Sequence, residues 1–466
     1  MYVCLQAHGK GVISCRKGCD SLTFPNLYFI FAFLPCALIA YYLVPEKYKN
    51  YVLLLSSVIF YGFGSWWQTG LLAADTIANY FMTGLFSGKN AKNPHRREMF
   101  ALTVAANVAL LVWFKCHPPI PVGISFYTFQ IIAYQIDVYR NDIPREDSLL
   151  RFGTYTFLFP KLQEGPITRY DEVSDQLKRH VCQKENLEYG FRIFVVGLSY
   201  KVLLADKISG LWKQLSIIGY ESVSTPMAWL GMWAYTLQLY FDFHGYSLMA
   251  IGIGRMFGFM LPKNFVTPYG STSVSEFYRR WHATLGRWFR DYIYIPLGGS
   301  RAGIKRTILN LLVVWTLTGL WHGVKWNFVF WGLSLFVLIA IEKLFLRKWL
   351  DSHPIVGHIY LLLVIPLTWM LFANTDVSSI GIYFSRLFPV VSAGIDVNLC
   401  DFSEYGLSYA PYLLAGVACL FPQPEKFLLG TKKYQKAVVA ILSVLFWVCV
   451  VSIHRSASNP FMYLQF

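Results

Sequence analysis

Two Trp-His pairs lie inside strongly apolar sequence between Ser275 and Gly332. The first closes Glu276-Phe-Tyr-Arg-Arg-Trp281-His282 and is followed by Ala-Thr-Leu-Gly-Arg-Trp-Phe-Arg290-Asp291-Tyr-Ile-Tyr-Ile-Pro-Leu-Gly298-Gly299. The second ends Asn310-Leu-Leu-Val-Val-Trp-Thr-Leu-Thr-Gly-Leu-Trp321-His322 and runs on into Gly323. Ionisable groups at membrane depth are costly, so chains keep them there for a partner or a task. A neutral imidazole accepts a proton near pH 7 with little adjustment, which makes it the usual general base. His322 is the candidate base. The residues alone leave a second reading open, in which His322 caps a loop at the membrane interface beside an interfacial Trp.

The flanking segments must position this imidazole. The apolar runs Thr307–Trp321 and Phe328–Ile341 are each about 15 residues, and such a helix rises only about 22 Å against a hydrocarbon core of roughly 30 Å. If both are membrane helices meeting near His322-Gly323, their turn is recessed below the surface. Irregular backbone at that depth needs protein or a wet cavity around it.

Composition agrees with a membrane setting. Of 466 residues 55% are hydrophobic and only 14% charged, whereas about a quarter of a soluble domain is charged. The fold class is therefore all-α, a polytopic integral membrane protein. The net charge of +15 fits lysine and arginine gathered in cytoplasmic loops. No basic cluster interleaved with stacking aromatics marks a nucleic-acid module. Nine scattered cysteines without a CxxC pair indicate neither a disulfide framework nor a zinc site, and no metal site is expected.

Residues 1–20 form a polar, basic leader of uncertain structure, and no cleavage site follows the apolar run after it. Spans are expected at Asn26–Val44, Tyr51–Phe63, Thr69–Phe86 and Met99–Lys115. Lysines and arginines in Glu46–Asn50 and Gly88–Arg97 put those loops in the cytoplasm and the N-terminus outside. Pro118–Tyr139, broken by prolines and Gly123, reads as a short or re-entrant helix. Phe152–Pro160, between mixed-charge segments, has the look of a helix lying along the membrane surface. Spans follow at Phe191–Ala205 and Met227–Met249, the second carrying Gln238, Asp242 and His244, a set that marks either a functional cavity or a helix-pairing contact. Gly254 and Gly258 read as a small-xxx-small pair for helix packing. Arg301–Arg306 is cytoplasmic in this topology, so the Thr307 helix climbs outward to His322. Ile355–Ala373 exits again, the acidic Asn374–Ser408 is external, Tyr409–Leu420 re-enters, and Ala437–Ile453 ends outside.

The two Trp-His segments resemble the membrane-bound O-acyltransferases, within them the bacterial branch that acetylates alginate. The likeness extends to Phe159-Pro-Lys-Leu-Gln-Glu-Gly165-Pro166-Ile167-Thr-Arg169-Tyr170, to Asp242-Phe-His-Gly-Tyr-Ser, to Leu261-Pro-Lys-Asn-Phe265 and to the closing Pro460-Phe-Met-Tyr-Leu-Gln-Phe466. His244 departs from that pattern, which has Ser there. The resemblance implies one transmembrane domain over 21–466, with about 11 spanning helices plus re-entrant and short helices around a central funnel. It also implies transfer of an acetyl group from a cytosolic thioester, acetyl-CoA, to an extracytoplasmic polysaccharide, with no bound cofactor. In this branch a separate SGNH-type acetyltransferase completes the reaction, and the aromatic tail Phe461–Phe466 is its expected docking strand. The implied setting is the bacterial inner membrane.

The resemblance places the catalytic histidine on His322, as base or as transient acyl carrier, with His282 as its orienting or oxyanion-side partner. Trp281 and Trp321 are expected to wall the cavity against water. Arg290-Asp291 reads as an ion pair holding a re-entrant segment, or as a site for donor phosphates. Asn310, Asp242 and Gln238 complete the candidate substrate-binding set. Two alternatives stand beside this reading: D-alanyl transfer to teichoic acid, against which Pro296-Leu-Gly-Gly299 argues, and a polysaccharide transporter, against which the lack of an internal repeat argues.

Overall fold

The computed structural model describes residues 22–88, 92–181, 183–388, 397–430 and 434–455, which fold as helices with no strand among them. The leader and the aromatic tail lie outside the described residues. In chain order come α1 (Phe29–Leu43), α2 (Lys49–Gly64), α3 (Trp66–Gly84), α4 (Arg96–Cys116), α5 (Ile124–Arg140), α6 (Leu149–Phe157), α7 (Phe159–Leu162) and α8 (Ser174–Lys178). Then α9 (Lys184–Ser199) continues through a π-helical stretch, Tyr200–Ala205, into α10 (Asp206–Ile218). The long α11 (Thr225–Met256), the short α12 (Val274–Arg280) and α13 (Ala283–Phe289), then α14 (Ile304–His322), α15 (Trp326–Ile341) and α16 (Arg347–Ser352) follow. The chain closes with α17 (Pro354–Ala373), α18 (Val377–Leu387), α19 (Leu407–Leu420), α20 (Pro422–Gly430) and α21 (Gln435–Arg455).

By length and composition, Arg96–Cys116, Trp326–Ser352, Pro354–Ala373 and Gln435–Arg455 are each able to cross a membrane. The outermost, α4 and α21, leave most of their apolar surface uncovered, with only 17% of each apolar window buried. That is the arrangement a lipid solvent permits, since apolar side chains need no protein cover there. The innermost helices differ: α5 carries buried Thr128, Gln130 and Gln135, and α11 carries buried Gln238 and Asp242. Their polar groups face neighbouring helices rather than lipid, which dilutes their hydropathy without exposing them.

α11 is the central post. It crosses α9 backbone to backbone: a Cβ on Gly197 would lie 2.5 Å from the Gly245 carbonyl oxygen, and one on Gly190 would lie 2.6 Å from that of Gly252. Only glycine permits such an approach. The close pairs are thus Gly190–Gly252 and Gly197–Gly245, and the expected Gly254–Gly258 pair is not one of them. Gly258 lies past the end of α11, at φ +85° against the Val181 carbonyl, and ends the helix instead of packing it.

Three further segments can be placed, and the surface-helix expectation for one of them is corrected. Pro118–Tyr139 contains a 17-residue helix, α5, which starts after Gly123 once the prolines are past; it is buried along most of its length. The segment 152–168 is buried throughout and does not lie along a surface. Lys161, the first residue of the mixed-charge segment that follows Phe152–Pro160, donates to Gln130 and stands 4.0 Å over the Tyr155 ring, so that charge is held inside. The acidic Asn374–Ser408 segment contains α18, whose Tyr383 hydroxyl donates to the Ala228 carbonyl of α11.

Candidate active site

α14 and α15 form an antiparallel hairpin so tight that Gly319 and Gly332 face each other across it. A Cβ on Gly319 would lie 2.5 Å from the Phe328 carbonyl oxygen, and one on Gly332 2.4 Å from that of Trp315. His322 is the last residue of α14, before the turn at Gly323. Its ring is only 5% exposed and is boxed by Trp321, Trp331 and Phe372 at ring separations of 4.7, 5.0 and 5.1 Å.

Two cavities meet at this residue. The first, about 780 Å³, is lined by Trp281, His282, Trp315, Thr318, Trp331 and Trp369, and reaches Lys343 and Arg347 at the far end of α15 and start of α16. The second, about 540 Å³, is lined by Lys115 at the end of α4, by Lys201, Asp206, Gln238 and Asp242, and by Lys325 and Thr375 beside the ends of the α14–α15 turn and α17. They extend toward opposite ends of the bundle. Among the described residues, His322 is the one that lines both.

His282 reaches the first cavity from another direction. Ser273 caps α12 through the Glu276 amide (3.1 Å), and the Glu342 carboxyl, buried at the end of α15, accepts from the Val274 and Ser275 amides at 2.5 and 2.9 Å. The helix N-terminus is thereby satisfied inside the bundle, as buried amides require. α12 ends at Trp281, and His282 takes left-handed angles, φ 45° and ψ 49°, to turn the chain into α13. A non-glycine residue holds such angles only where its surroundings fix it. Asn264, from the Leu-Pro-Lys-Asn-Phe segment, supplies that: its backbone oxygen accepts from the Ala283 amide (2.8 Å), and its Oδ1 lies 3.0 Å from His282 Nδ1 and 2.7 Å from the Thr284 hydroxyl. Thr284 Oγ1 in turn accepts from the Ile167 amide at 3.1 Å, which brings in the Gly-Pro-Ile segment.

The candidate residues separate on inspection. Trp281 lines the first cavity. Trp321 lines neither; its ring lies behind the wall, against Phe126 and Phe129 of α5 and both imidazoles, with Lys115 Nζ 5.8 Å over it. Arg290 borders the first cavity and pairs with Asp291 at 2.7 Å, while Asp291 also takes Arg169 at 3.5 Å, so the pair ties α13's end to the Gly-Pro-Ile segment. Asn310 touches neither cavity: its amide donates to the Gly299 carbonyl at 3.0 Å and holds the Pro-Leu-Gly-Gly turn, where both glycines have positive φ, against α14. Gln238 and Asp242 line the second cavity. Asp242 does not pair with His244. It takes Lys201 Nζ at 2.6 Å, which also bridges to Asp206 at 2.8 Å, whereas His244 Nε2 meets Glu425 of α20 at 3.1 Å.

Sequence reasoning missed Lys201, although a lone lysine inside the apolar run Phe191–Ala205 carries the same signal that marked Asp242. It also missed Arg279, Arg287, Lys343 and Arg347, which with Arg290 give the first cavity a cationic rim. Arg287 and Arg347 are paired with Glu172 and Asp351 at 2.8 and 3.0 Å. Trp331 and Trp369, which with Trp315 box the cavity, were not singled out either.

A family model, the membrane-bound O-acyltransferase family (MBOAT), matches residues 139–374, the stretch holding both cavities' centre. A curated relative, the probable alginate O-acetylase AlgI of Azotobacter vinelandii, is 32% identical over 96% of this chain and 100% of its own length. The chain belongs to the membrane-bound O-acyltransferase family. As an MBOAT protein it is an O-acyltransferase with apolar helices suited to a membrane. It is also similar to the peptidoglycan O-acetyltransferase of Helicobacter pylori (31% identical, 77% of this chain, 78% of the relative). The teichoic acid D-alanyltransferase of Bacillus subtilis is more distant, at 28% over 51% of this chain and 65% of the relative.

Proposed function

We propose that this protein moves an acetyl group from acetyl-CoA on the cytoplasmic side to a hydroxyl on the outer side of the bacterial inner membrane, for O-acetylation of a polysaccharide. The carrying observation is His322, buried yet lining two cavities that run to opposite ends of the bundle. The donor enters the first cavity. Arg279, Arg287, Arg290, Lys343 and Arg347 suit the phosphates of a nucleotide thioester, and their end of the bundle is cytoplasmic by the positive-inside rule. The acceptor enters the second.

His322 is the base, with the role of transient acyl carrier as the lesser option. It takes the proton as the acceptor oxygen attacks the thioester carbonyl; the oxyanion then collapses, the C–S bond breaks, and the proton passes to the departing thiolate. The indole N–H of Trp331, which lines the donor cavity and has no acceptor among the described residues, suits the oxyanion. The aromatic box excludes water, which would otherwise hydrolyse the thioester. The polysaccharide acceptor is supported by the relatives named for alginate and peptidoglycan acetylation, and an SGNH-type acetyltransferase is the proposed outer partner.

His322→Ala and His322→Gln test the assignment. Both are expected to abolish acetyl transfer in purified protein supplied with acetyl-CoA, and polysaccharide acetylation in cells, at unchanged expression. Either variant transferring at the native rate removes His322 from the mechanism.

A further inference from the structure

Three segments far apart in sequence, Gly165-Pro-Ile167, Leu261-Pro-Lys-Asn264 and Trp281-His-Ala-Thr284, end on one buried chain of hydrogen bonds, and its directions can be worked out. The Ile167 amide can only donate, so Thr284 Oγ1 accepts at 3.1 Å. The Thr284 hydroxyl hydrogen then goes to the neighbouring atom of Asn264, 2.7 Å away, which makes that atom the amide oxygen. In this orientation Asn264 Nδ2 is buried without an acceptor among the described residues. Turned over, the amide would donate to Thr284 Oγ1 and His282 Nδ1 and would leave the Thr284 hydroxyl hydrogen facing an N–H group, so the two orientations predict opposite His282 tautomers. The same oxygen is 3.0 Å from His282 Nδ1. Two acceptors at that distance repel, so Nδ1 carries a hydrogen. In a neutral ring the other nitrogen is then bare. His282 Nε2 is buried and has no partner among the described residues, and His282 lines the donor cavity.

We propose that Asn264 is a positioning residue: it holds His282 as the tautomer protonated at Nδ1, so that Nε2 is presented to the donor cavity as an acceptor lone pair. The proposal rests on the acyl-transfer reading above. It sharpens the part His282 plays there. In this tautomer the one N–H of a neutral His282 is bonded to Asn264, so toward the cavity the ring accepts and does not donate, and it is no oxyanion donor in the resting protein. It receives a proton, or holds the hydrogen of a hydroxyl, beside His322. The Asn264 backbone contact to Ala283 adds to this by fixing the left-handed turn that aims the ring.

The groups facing His282 across the cavity are His322, Arg279, Arg287, Arg290, Lys343 and Arg347, with the phenols Tyr278 and Tyr294. α5 and α11 meet its ring with Phe126 and Phe243, which carry no charge, and Lys115 lies beyond Trp321. Arginine, lysine and tyrosine do not ordinarily titrate between pH 5 and 8, so an acid limb in that range reports the imidazoles.

Full-length detergent-purified protein supplied with acetyl-CoA and a polysaccharide hydroxyl acceptor, followed by thiol release, provides the test. Asn264→Asp keeps the shape and places a carboxylate against Nδ1–H, which favours the imidazolium. The acid limb of kcat/KM should move up by about one pH unit or more. Asn264→Leu removes the acceptor and frees the tautomer. Its kcat should fall about 100-fold or more, with KM for acetyl-CoA within about threefold, as expected when a base is held in the wrong tautomer. An unmoved acid limb in Asn264→Asp, or an Asn264→Leu loss no larger than its loss of folded protein, overturns the proposal. If neither variant assembles, the ¹⁵N-histidine spectrum of the native protein decides, with His282→Gln identifying the signal: a bare Nε2 supports the tautomer and a protonated one overturns it. A native rate in His322→Gln would count against the acyl-transfer reading and leave the tautomer result standing.

Discussion

Replacing Gly332 by alanine puts a methyl carbon 2.4 Å from the Trp315 carbonyl oxygen and 3.3 Å from the Gly319 Cα. Real Cβ atoms do not approach within 3.0 Å, so α15 must withdraw from α14 by at least about 0.6 Å, and neither contact is a side-chain tip that can swing aside. Overpacking of this kind costs about 1–3 kcal/mol. The functional effect is expected to be larger than the stability effect. His322 lies one turn beyond Gly319 on the displaced helix, and Trp331, which packs edge-on against its ring at 5.0 Å, is the neighbour of Gly332. The imidazole and its box therefore shift relative to each other by a fraction of an ångström to about 1 Å, which lowers the rate by up to about 100-fold. The assay is thiol release from acetyl-CoA on purified protein with a polysaccharide acceptor present, paired with a thermal melt. The expected outcome for Gly332→Ala is a folded protein with lowered Tm, kcat reduced at least tenfold and KM for acetyl-CoA within a few-fold. A variant with native kcat and native Tm would show that the tight hairpin does not set the position of His322.

Other outcomes follow from the same geometry. Arg279→Ala and Lys343→Ala, each on the donor cavity, should raise KM for acetyl-CoA about tenfold with kcat within about twofold; a matching kcat loss at constant KM would place them in the chemistry instead. Glu146, in the link between α5 and α6, gives a pH effect on stability. Burial alone would raise its carboxyl, but Arg151 at 2.6 Å and the Tyr170 hydroxyl outweigh this and hold it below the ordinary carboxylate value. A lowered folded-state pKa gives stability that is present above about pH 4.3 and lost as pH falls through the folded value. Glu146→Gln should therefore flatten the fall of Tm on acidification below pH 5, and an unchanged slope would count against the ion pair. Lys201→Met removes the cation that bridges Asp206 and Asp242 in the second cavity's wall. It should destabilise the protein by about 3 kcal/mol or more, read as a lowered Tm that Lys201→Arg partly restores.

What the sequence made legible followed its physics. Uniformly apolar segments such as α4, α17 and α21 could be placed within a few residues because a lipid-facing helix needs little but hydrophobicity. The His322 turn could be placed because two short apolar runs flanked it. Segments whose cover is other protein were harder. Phe152–Thr168 keeps a lysine, a glutamate and threonines in the interior, which reads as a surface pattern until the partner Gln130 is seen. Asn310, Trp321 and Asp242 are buried, as expected of groups at depth, but hydropathy says nothing of direction. Asn310 turns to a backbone carbonyl, Trp321 to α5, and Asp242 to a lysine on another helix. Asn264 illustrates the converse: an amide in a loop carries no periodic signal, and its value appears only when Ile167 and Thr284 arrive beside it.

His322 borders both the 780 Å³ and the 540 Å³ chambers, and the partition between them there is this ring together with the Trp321, Trp331 and Phe372 rings packed round it. Cutting that ring back to a methyl group would do more than remove a base; it would thin the wall between the two chambers. Solute leakage through the thinned wall is the outcome to measure. Cells carrying His322→Ala should accordingly leak as well as lose acetylation, while His322→Gln, which fills the gap, should only lose acetylation.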